Sequence, residues 1–382
     1  MYIHSDIFAV QTPKKPGEPC GDSYGVYRDQ MATTIVLSDG LGSGVKAHIA
    51  ANMCVARLIG LVKMGMTIRE AFAAVSATMD RVWGSGDPFA VFTIARILNN
   101  GQTTVLSYEM PPPLLINKTY ALVLRDRVYT QEKAIVHESN CVIETGEGLI
   151  LVSDGITQAG IGKLFNYGWE AEGVRKFLQS QLPVERIHGP SITASVHDKA
   201  RGYWSADGKG DDCSVLLALN RRGVIVNLMS GPPLHKSDDN EWVRSFLNED
   251  GIHIISGGST AMIVARNMGR KLEVKDSESA ITPPSYQIDT MELVTEGMVT
   301  LNQVYHLLDE ESDQYPENSP ASEMAYFLNI SDRVNIWLGS AENLNDGSIE
   351  FRQQGLLSRR KIISKIATRL NGQGKLVVIE EK

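Results

Sequence analysis

Short apolar runs separated by turn-forming residues fill the first 219 residues of the chain. Three runs rich in Val, Ile and Leu predict buried β-strands: 34–37, 149–152 and 215–219. Longer periodic segments at 45–64 and 67–82 predict two helices, the second with Thr67 and Glu70 at the spacing of a capping box. Strands that follow one another in hairpins, with helices inserted, predict an α+β layered domain with mainly antiparallel sheets.

After residue 220 the pattern changes to an alternation of strands with helices. The predicted strands of this part are 224–229, 252–255, 291–294, 334–338 and 376–379. The predicted helices are 240–248, 260–267, 301–308, 321–328 and 357–370. This alternation favours a smaller α/β domain with a parallel sheet. Because 382 residues exceed one ordinary hydrophobic core, we predict two domains, 1–220 and 221–382.

The composition is that of an ordinary soluble globular chain, with 43% hydrophobic and 21% charged residues. A formal net charge of −8 argues against general affinity for nucleic acid. We see no uninterrupted apolar run of the roughly 20 residues that a membrane span needs, and no signal-peptide pattern at the N-terminus. The four cysteines lack paired spacing, which predicts free thiols in a reducing compartment. We therefore expect a cytoplasmic protein with no nucleic-acid or membrane partner.

Acidic residues stand at the edges of the three predicted strands. Asp39 precedes Gly40, Asp154 precedes another glycine, and Asp211 and Asp212 form a pair. A carboxylate at a strand end, followed by glycine, is held rigidly beside an accessible backbone carbonyl. A single Asp-Gly is common in tight turns, but converging carboxylates are hard oxygen ligands that suit Mg²⁺ or Mn²⁺. The joint arrangement favours a metal-dependent hydrolase.

Four motifs in a fixed order carry a family resemblance. They are Gly21-Asp22-Ser23-Tyr24-Gly25, Ser38-Asp39-Gly40-Leu41-Gly42-Ser43-Gly44, Ser153-Asp154-Gly155 and Asp211-Asp212-Cys213-Ser214. With these motifs the chain resembles the bacterial type 2C serine/threonine phosphatases, and more specifically their SpoIIE-like branch. The resemblance implies an αββα sandwich with a two-metal centre between its sheets, and it ends near residue 220. The chain departs from the family pattern at 109–113, where many relatives carry Asn-Ala-Gly-His-x-Pro.

The resemblance implies metal contacts at five positions: Asp22, Asp39, Gly40, Asp154 and Asp211. Asp39 would bridge two Mn²⁺ or Mg²⁺ ions, and Asp22 would contact a metal or orient its bound water. Asp212 stays an alternative to Asp211 as the ligand. A hydroxide between the metals would attack a phosphoserine or phosphothreonine of a bacterial regulatory protein directly. The sequence shows no arginine placed to bind the phosphate.

Several alternatives stay open at this point. The chain could be a non-catalytic binding module on a phosphatase-like fold, or a two-metal hydrolase of small phosphoesters. Retention of the four aspartates favours an active protein phosphatase. The sequence does not decide between Mn²⁺ and Mg²⁺, and a homodimer is one alternative for the oligomeric state.

A glycine-rich corner marks the second predicted domain. Gly257, Gly258, Ser259 and Thr260 follow a predicted strand and open a predicted helix, where backbone N–H groups can bind an anion. The same residues could instead form a simple N-cap with close packing. Polar corners at Ser230 and Glu296 end neighbouring predicted strands, so we expect a small-molecule or protein partner with a regulatory role.

Overall fold

The computed structural model describes residues 2–82, 89–131, 134–204, 210–275, 285–310, 315–316, 319–341 and 355–382. Its backbone contacts divide the chain into two compact units, residues 3–222 and 223–382.

The first unit consists of two antiparallel sheets and the helices that cover them. Its strands are β1 (Ile3–Thr12), β2 (Asp22–Arg28), β3 (Ala32–Gly40), β4 (Ala90–Leu98), β5 (Gln102–Tyr108), β6 (Leu114–Ile116), β7 (Ala121–Val123), β8 (Arg127–Gln131), β9 (Ala134–Val142), β10 (Gly148–Val152) and β11 (Cys213–Arg222). Its helices are α1 (Val45–Lys63), α2 (Ile68–Val82), α3 (Asp154–Thr157), α4 (Glu170–Ser180) and α5 (Gly189–Gly202). The strand orders are β2-β3-β4-β5-β9-β8 and β1-β11-β10-β6-β7.

The period-2 alternation of the strands explains how the layers stack. Ile35 and Leu37 of β3 pack against Leu151 of β10 in the core between the two sheets. Val36, which points to the other face of β3, packs beneath α1 and α2. Ile150 of β10 likewise packs beneath α4 and α5. The predicted α+β class and αββα sandwich are confirmed.

Helix α1 corrects one expectation from the sequence. By length and composition it is long and apolar enough to cross a membrane, although Lys46, Arg57 and Lys63 interrupt its apolar run. Residues along one side of the helix, including Cys54 and Leu58, are fully buried in the core formed with the six-stranded sheet. Packing against this sheet accounts for the buried apolar side of the helix, whereas Val45, Ile49 and Met53 are exposed.

Local signals predicted some elements well and missed others. Thr67 and Glu70 form the predicted capping box, in which the backbone N–H of Thr67 donates to Glu70 Oε2 at 2.8 Å. Strand β1 was not predicted, because polar residues such as Ser5 and Asp6 break its apolar alternation. Its ten residues pair with β11 from Ile3 to Thr12, so this strand depends on a distant backbone partner.

The second unit is built on one sheet with helices on both faces. Its strands are β12 (Ile225–Ser230), β13 (Ile252–Ser256), β14 (Glu273–Lys275), β15 (Ser285–Gln287), β16 (Leu293–Thr295), β17 (Arg333–Leu338) and β18 (Leu376–Glu381). Its helices are α6 (Asp239–Leu247), α7 (Gly258–Met268), α8 (Met298–Leu307), α9 (Pro320–Ile330) and α10 (Arg359–Gly372), with a short 3₁₀ turn at Lys236–Asp238. The order is β14-β15-β16-β13-β12-β17-β18, and β12, β13, β16, β17 and β18 run parallel.

A fragment of residues 1–222 should be soluble and unfold in one cooperative transition, because β1 to β11 all lie within it. A matched fragment of residues 1–212 lacks β11, which lies between β1 and β10, and should remain unfolded. Circular dichroism during thermal unfolding measures both. A cooperative 1–212 fragment, or an insoluble 1–222 fragment, would contradict a boundary at Arg222.

Candidate metal centre

Two predicted site residues lie opposite each other on the six-stranded sheet. The register of β2 and β3 pairs Asp22 with Asp39 at the end of the ladder. Asp22 is only 2% exposed, and Asp39 is half-buried. Strand β3 ends at Gly40, where an added Cβ would collide with the carbonyl oxygen of Ala47 in α1. Glycine at this position therefore lets the first turn of α1 approach the end of β3 closely.

The five-stranded sheet brings its acidic residues to the same end of the sandwich. Asp154 begins α3 directly after β10, and Asp211 and Asp212 directly precede β11. Strands β10 and β11 are paired, so the two corners are neighbours. A Cβ on Gly155 would overlap the carbonyl oxygen of Asp212, so glycine is needed for this approach.

Hydrogen bonds join the acidic residues of the two sheets. The hydroxyl of Ser214 on β11 donates to Asp22 Oδ2 at 2.6 Å. The side chains of Asp39 and Asp154 lie close enough to affect each other's pKa, an approach that is unfavourable while both are ionised. The structure thus brings four predicted site residues together, since the charge of Asp211 also acts on Asp39 and Asp154.

Burial and mutual repulsion dominate the electrostatics of this cluster. Burial raises the pKa of Asp39 far above its usual range, and the charges of Asp22 and Asp154 raise it further. Burial also raises the pKa of Asp22, against the opposing effect of hydrogen bonds from Ser214 and Ser153. The pKa of Asp154 is raised mainly by burial. Carboxyl groups this close are compatible only when a proton or a cation offsets their charge.

The oxygen atoms of the acidic cluster are ligands of the kind that hard divalent cations prefer. The four aspartates supply carboxylate oxygens, and Asp22 Oδ1 is a buried oxygen with no hydrogen-bond partner in the described part of the chain. Within the described ranges, no group of three His, Cys, Asp or Glu side chains is gathered closely enough to enclose an ion. In this arrangement Asp39 lies beside Asp154, and Asp211 Oδ1 accepts a hydrogen bond from Lys14 Nζ. Cation binding would require these side chains to turn.

The environments of Asp211 and Asp212 differ. Asp212 is 5% exposed, and its Oδ1 accepts the backbone N–H of Lys14 at 2.9 Å. Its other oxygen lies against the backbone of Gly21. Asp211 is more exposed and contributes to the raised pKa of Asp39. Asp212 thus holds the loop between β1 and β2 by a hydrogen bond. This role favours Asp211 as the metal-facing member of the pair.

Lys14 is a candidate that the sequence did not reveal. It lies between β1 and β2, and its Nζ is 3.2 Å from Asp211 Oδ1. In the sequence it belongs to the run Pro13-Lys14-Lys15-Pro16, which has the character of an exposed loop. Its position is set by the hydrogen bond to Asp212, a residue 198 positions away, so no local pattern could predict it.

The first unit contains two cavities of different size. One of about 230 Å³ adjoins Asp211 and is lined by Gln158, Lys163, Tyr203 and Trp204 among others. A larger one of about 760 Å³ lies at the opposite end of the six-stranded sheet. It contains no comparable carboxyl cluster within the described residues, and its Asp29 already pairs with Arg96 at 2.9 Å. The smaller cavity is therefore the one relevant to chemistry at the aspartates.

The glycine-rich corner predicted in the second unit lies at the carboxyl end of β13. Gly257 has a φ of 117° and precedes α7, which begins at Gly258. An added Cβ on Gly258 would lie 3.0 Å from the hydroxyl of Tyr286. Thr260 Oγ1 accepts the backbone N–H of Gly231 at 2.9 Å, and Ser259 is exposed. Three of these residues have local packing roles, and their role in ligand binding stays a prediction.

Comparison with protein families gives one match to the first unit. The family model described as Stage II sporulation protein E (SpoIIE) matches residues 29–220, about half of the chain. Asp39, Asp154 and Asp211 lie inside the matched range, and Asp22 lies just before it. A comparison with curated proteins finds no match.

Solved structures with a similar backbone include phosphatase domains. The PP2C phosphatase domain with a regulatory-domain fragment of SpoIIE from Bacillus subtilis is 16% identical, with a TM-score of 0.48, over 58% of this chain and 64% of that one. The chain therefore spans less than two thirds of that relative. The RsbU and RsbW domains of a Mycobacterium tuberculosis protein are 16% identical, with a TM-score of 0.47, over 64% and 69%. RsbX in complex with magnesium is 15% identical, with a TM-score of 0.39, over 57% and 99%.

The raised carboxyl pKa values predict how stability depends on pH. In EDTA, the free energy of unfolding should fall by about 1–3 kcal/mol from pH 5 to pH 8. The reason is that the folded protein keeps protons on Asp22 and Asp39 that the unfolded chain releases above about pH 4. Asp39→Asn should remove part of this slope and raise Tm at pH 8, as measured by calorimetry. An unchanged slope in Asp39→Asn, equal to that of the surface variant Asp289→Asn, would contradict this origin.

Proposed function

Because this chain belongs to the Stage II sporulation protein E family, we propose that its first unit is a metal-dependent phosphatase acting on phosphoserine or phosphothreonine of a regulatory protein. The observation that carries this proposal is the meeting of Asp22, Asp39, Asp154 and Asp211 at one end of the sandwich. Burying carboxyl groups together costs stability, so such a cluster favours a role in function over a role in folding.

The four aspartates would hold Mn²⁺ or Mg²⁺, and the charges of the other three already act on Asp39. Bound divalent cations supply positive charge that lowers the pKa of water and offsets the charge of the phosphoryl oxygens. Ser214 fixes one oxygen of Asp22, which leaves Oδ1 to accept a hydrogen bond from the attacking water. Asp22 would therefore orient the water toward the phosphorus.

Direct attack by water is favoured because the cysteine side chains near this site are poor nucleophiles. Cys213 lies beside the cluster, but burial raises its thiol pKa above the ordinary value, and Asp22 raises it further. Burial likewise raises the pKa of Cys20 to about 12. Because the reactive form of cysteine is the thiolate, neither residue suits a covalent phosphocysteine mechanism.

Lys14 would bind the substrate phosphate. Its ammonium group lies at the edge of the cluster and is 37% exposed, so it can reach a ligand in front of Asp211. A cation bound by Asp211 would weaken the attraction between Asp211 and Lys14. The ammonium would then be available to phosphoryl oxygens, for which lysine is a common partner.

A protein substrate is favoured over a small phosphoester by the cavity beside Asp211. Tyr203, Trp204 and Lys163 line this cavity. A volume of about 230 Å³ is enough for a side chain that flanks the phosphorylated residue. Aromatic walls suit such a side chain because they supply a large apolar surface.

Phosphopeptide hydrolysis should require Mn²⁺ or Mg²⁺ and be abolished by EDTA. Asp154→Asn should lower kcat by roughly a hundredfold or more, since it removes a charge from the site without changing side-chain size. Single-turnover release of phosphate from phosphoserine and phosphothreonine peptides measures this effect.

Asp29→Asn is the matched control, because this aspartate lies at the other end of the same sheet. It should retain activity. Full activity of Asp154→Asn, or of the wild type in EDTA, would rule out the proposed metal chemistry. Turnover of p-nitrophenyl phosphate without any turnover of phosphopeptides would favour a small-molecule hydrolase, and turnover of neither would favour a binding module.

Lys14→Met should lower kcat/KM for phosphopeptides about tenfold, because it removes a charged partner of the phosphate and keeps the aliphatic stem. Lys15→Met is the matched control, since the ammonium group of Lys15 lies near exposed Glu18 at 3.5 Å. Steady-state kinetics at fixed metal concentration separates the two variants. Equal effects of both substitutions would mean that Lys14 acts only through the overall surface charge and does not bind the phosphate.

A further inference from the structure

The parallel strands of the second unit have a doubly wound order. In chain order, β12 is first, β13 second, β16 third, β17 fourth and β18 fifth, and they lie in the sheet as third, second, first, fourth, fifth. The strand order therefore reverses between β12 and β17. In open sheets of this kind, ligands bind outside the carboxyl ends of the strands at this reversal.

Three neighbouring strands end in hydroxyl residues in one row. The register pairs Ser230 of β12 with Ser256 of β13, and Ser256 with Thr295 of β16. All three are buried, with exposures of 1% or less. Small hydroxyl side chains in this row leave the carboxyl edge of the sheet polar, in contrast to the apolar centre of the same strands.

Two buried hydroxyl groups near this edge have no hydrogen-bond partner among the residues that the structure describes. Ser230 Oγ is one, and Thr300 Oγ1 in the first turn of α8 is the other. Strand alternation places Ser230 on the face of Val226 and Leu228, which pack against α8, α9 and α10. Buried hydroxyl groups are normally paired, so both groups indicate a polar partner that the described residues do not supply.

Helix α10 begins on this same face with an unusual charge. Its first residues are Arg359, Arg360 and Lys361, with no acidic residue and no side-chain cap in the first turn. Basic residues at a helix N-terminus add to the positive end of the macrodipole, which is unfavourable without an anion. Asn302 of α8 fixes the start of α10 by two hydrogen bonds to the backbone of Leu357.

Arg359 lies directly against the carboxyl end of β12. A Cβ on Gly231 would overlap its guanidinium group, and Gly231 has a φ of 89°. The guanidinium also donates to the carbonyl of Ala341, in the loop after β17. Arg359 therefore bridges the loops that follow the first and fourth strands, where the strand order reverses.

We propose that this edge binds the phosphate group of a small phosphomonoester. Arg359 and the N-terminus of α10 would hold the anionic oxygens, and the hydroxyl groups of Ser230 and Thr300 would donate to them. The predicted glycine corner at Gly257 and Gly258 borders the same edge, at the end of the adjacent strand.

The loop after β12 favours one phosphate over a pyrophosphate. Pro232 and Pro233 have no backbone N–H to donate, and the N–H of Gly231 is already bonded to Thr260. A dinucleotide site would instead use free backbone N–H groups of a glycine-rich turn after the first strand. Charge recognition therefore falls to Arg359 and α10, which suits a single phosphomonoester.

Calorimetric titration of the full chain tests this proposal. The Asp39→Asn background in EDTA removes metal-dependent phosphate binding by the first unit. The probes are ribose 5-phosphate, adenosine monophosphate and inorganic phosphate, with ribose and adenosine as unphosphorylated controls. Arg359→Gln should weaken binding of the phosphorylated probes roughly tenfold or more, because it removes a charge-assisted hydrogen bond.

Two further variants keep the test independent of folding. Arg360→Gln makes the same substitution at the next residue, and it should weaken binding much less than Arg359→Gln does, because the guanidinium of Arg360 already pairs with Glu381 at 2.9 Å. Ser230→Ala should weaken binding severalfold while raising Tm without ligand, because it removes an unpaired buried hydroxyl group. The proposal would be overturned if neither ribose 5-phosphate, adenosine monophosphate nor inorganic phosphate binds at millimolar concentration. Equal losses in Arg359→Gln and Arg360→Gln would also overturn it.

Discussion

The repulsion among buried carboxyl groups is the constraint around which the first unit is arranged. Asp22 and Asp39 come from one sheet and Asp154 and Asp211 from the other, so their meeting depends on the sandwich as a whole. Gly40 and Gly155 allow the aspartates to come together, because a side chain at either position would collide with neighbouring backbone. Serine hydroxyl groups then orient the carboxyl groups without adding charge. The rest of the unit supplies the apolar packing that offsets the cost of this cluster.

The two units place their polar residues in different ways. In the first, the cluster lies where two antiparallel sheets face each other, and acidic side chains from both sheets contribute. In the second, five parallel strands of a single sheet bring hydroxyl residues and helix N-termini to one edge, where α10 begins with basic residues. Each arrangement follows from strand direction, because parallel strands align their carboxyl ends and antiparallel hairpins do not.

The sequence was informative where chemistry and backbone pattern coincide locally. Asp39 and Asp154 were predictable because an apolar run, an aspartate and a glycine follow one another directly. Strand β1 was not predictable, since polar residues interrupt its pattern and its ladder to β11 supplies its stability. Lys14 escaped for the same reason, because a long-range hydrogen bond positions it. The sequence could not tell whether Asp211 or Asp212 faces the metal, because the two residues are adjacent and identical in type. The structure distinguishes them by the exposure of their side chains.

The pairing of β1 with β11 has a consequence for biosynthesis. Strand β1 is translated about two hundred residues before its partner β11, and Asp211 is made just before that partner. Until then, the edge of β1 stays unpaired and the carboxyl cluster lacks a member. The nascent chain therefore cannot carry a complete centre before the first unit is fully translated. Before that point β1 exposes an unpaired strand edge, and chaperones are expected to bind there.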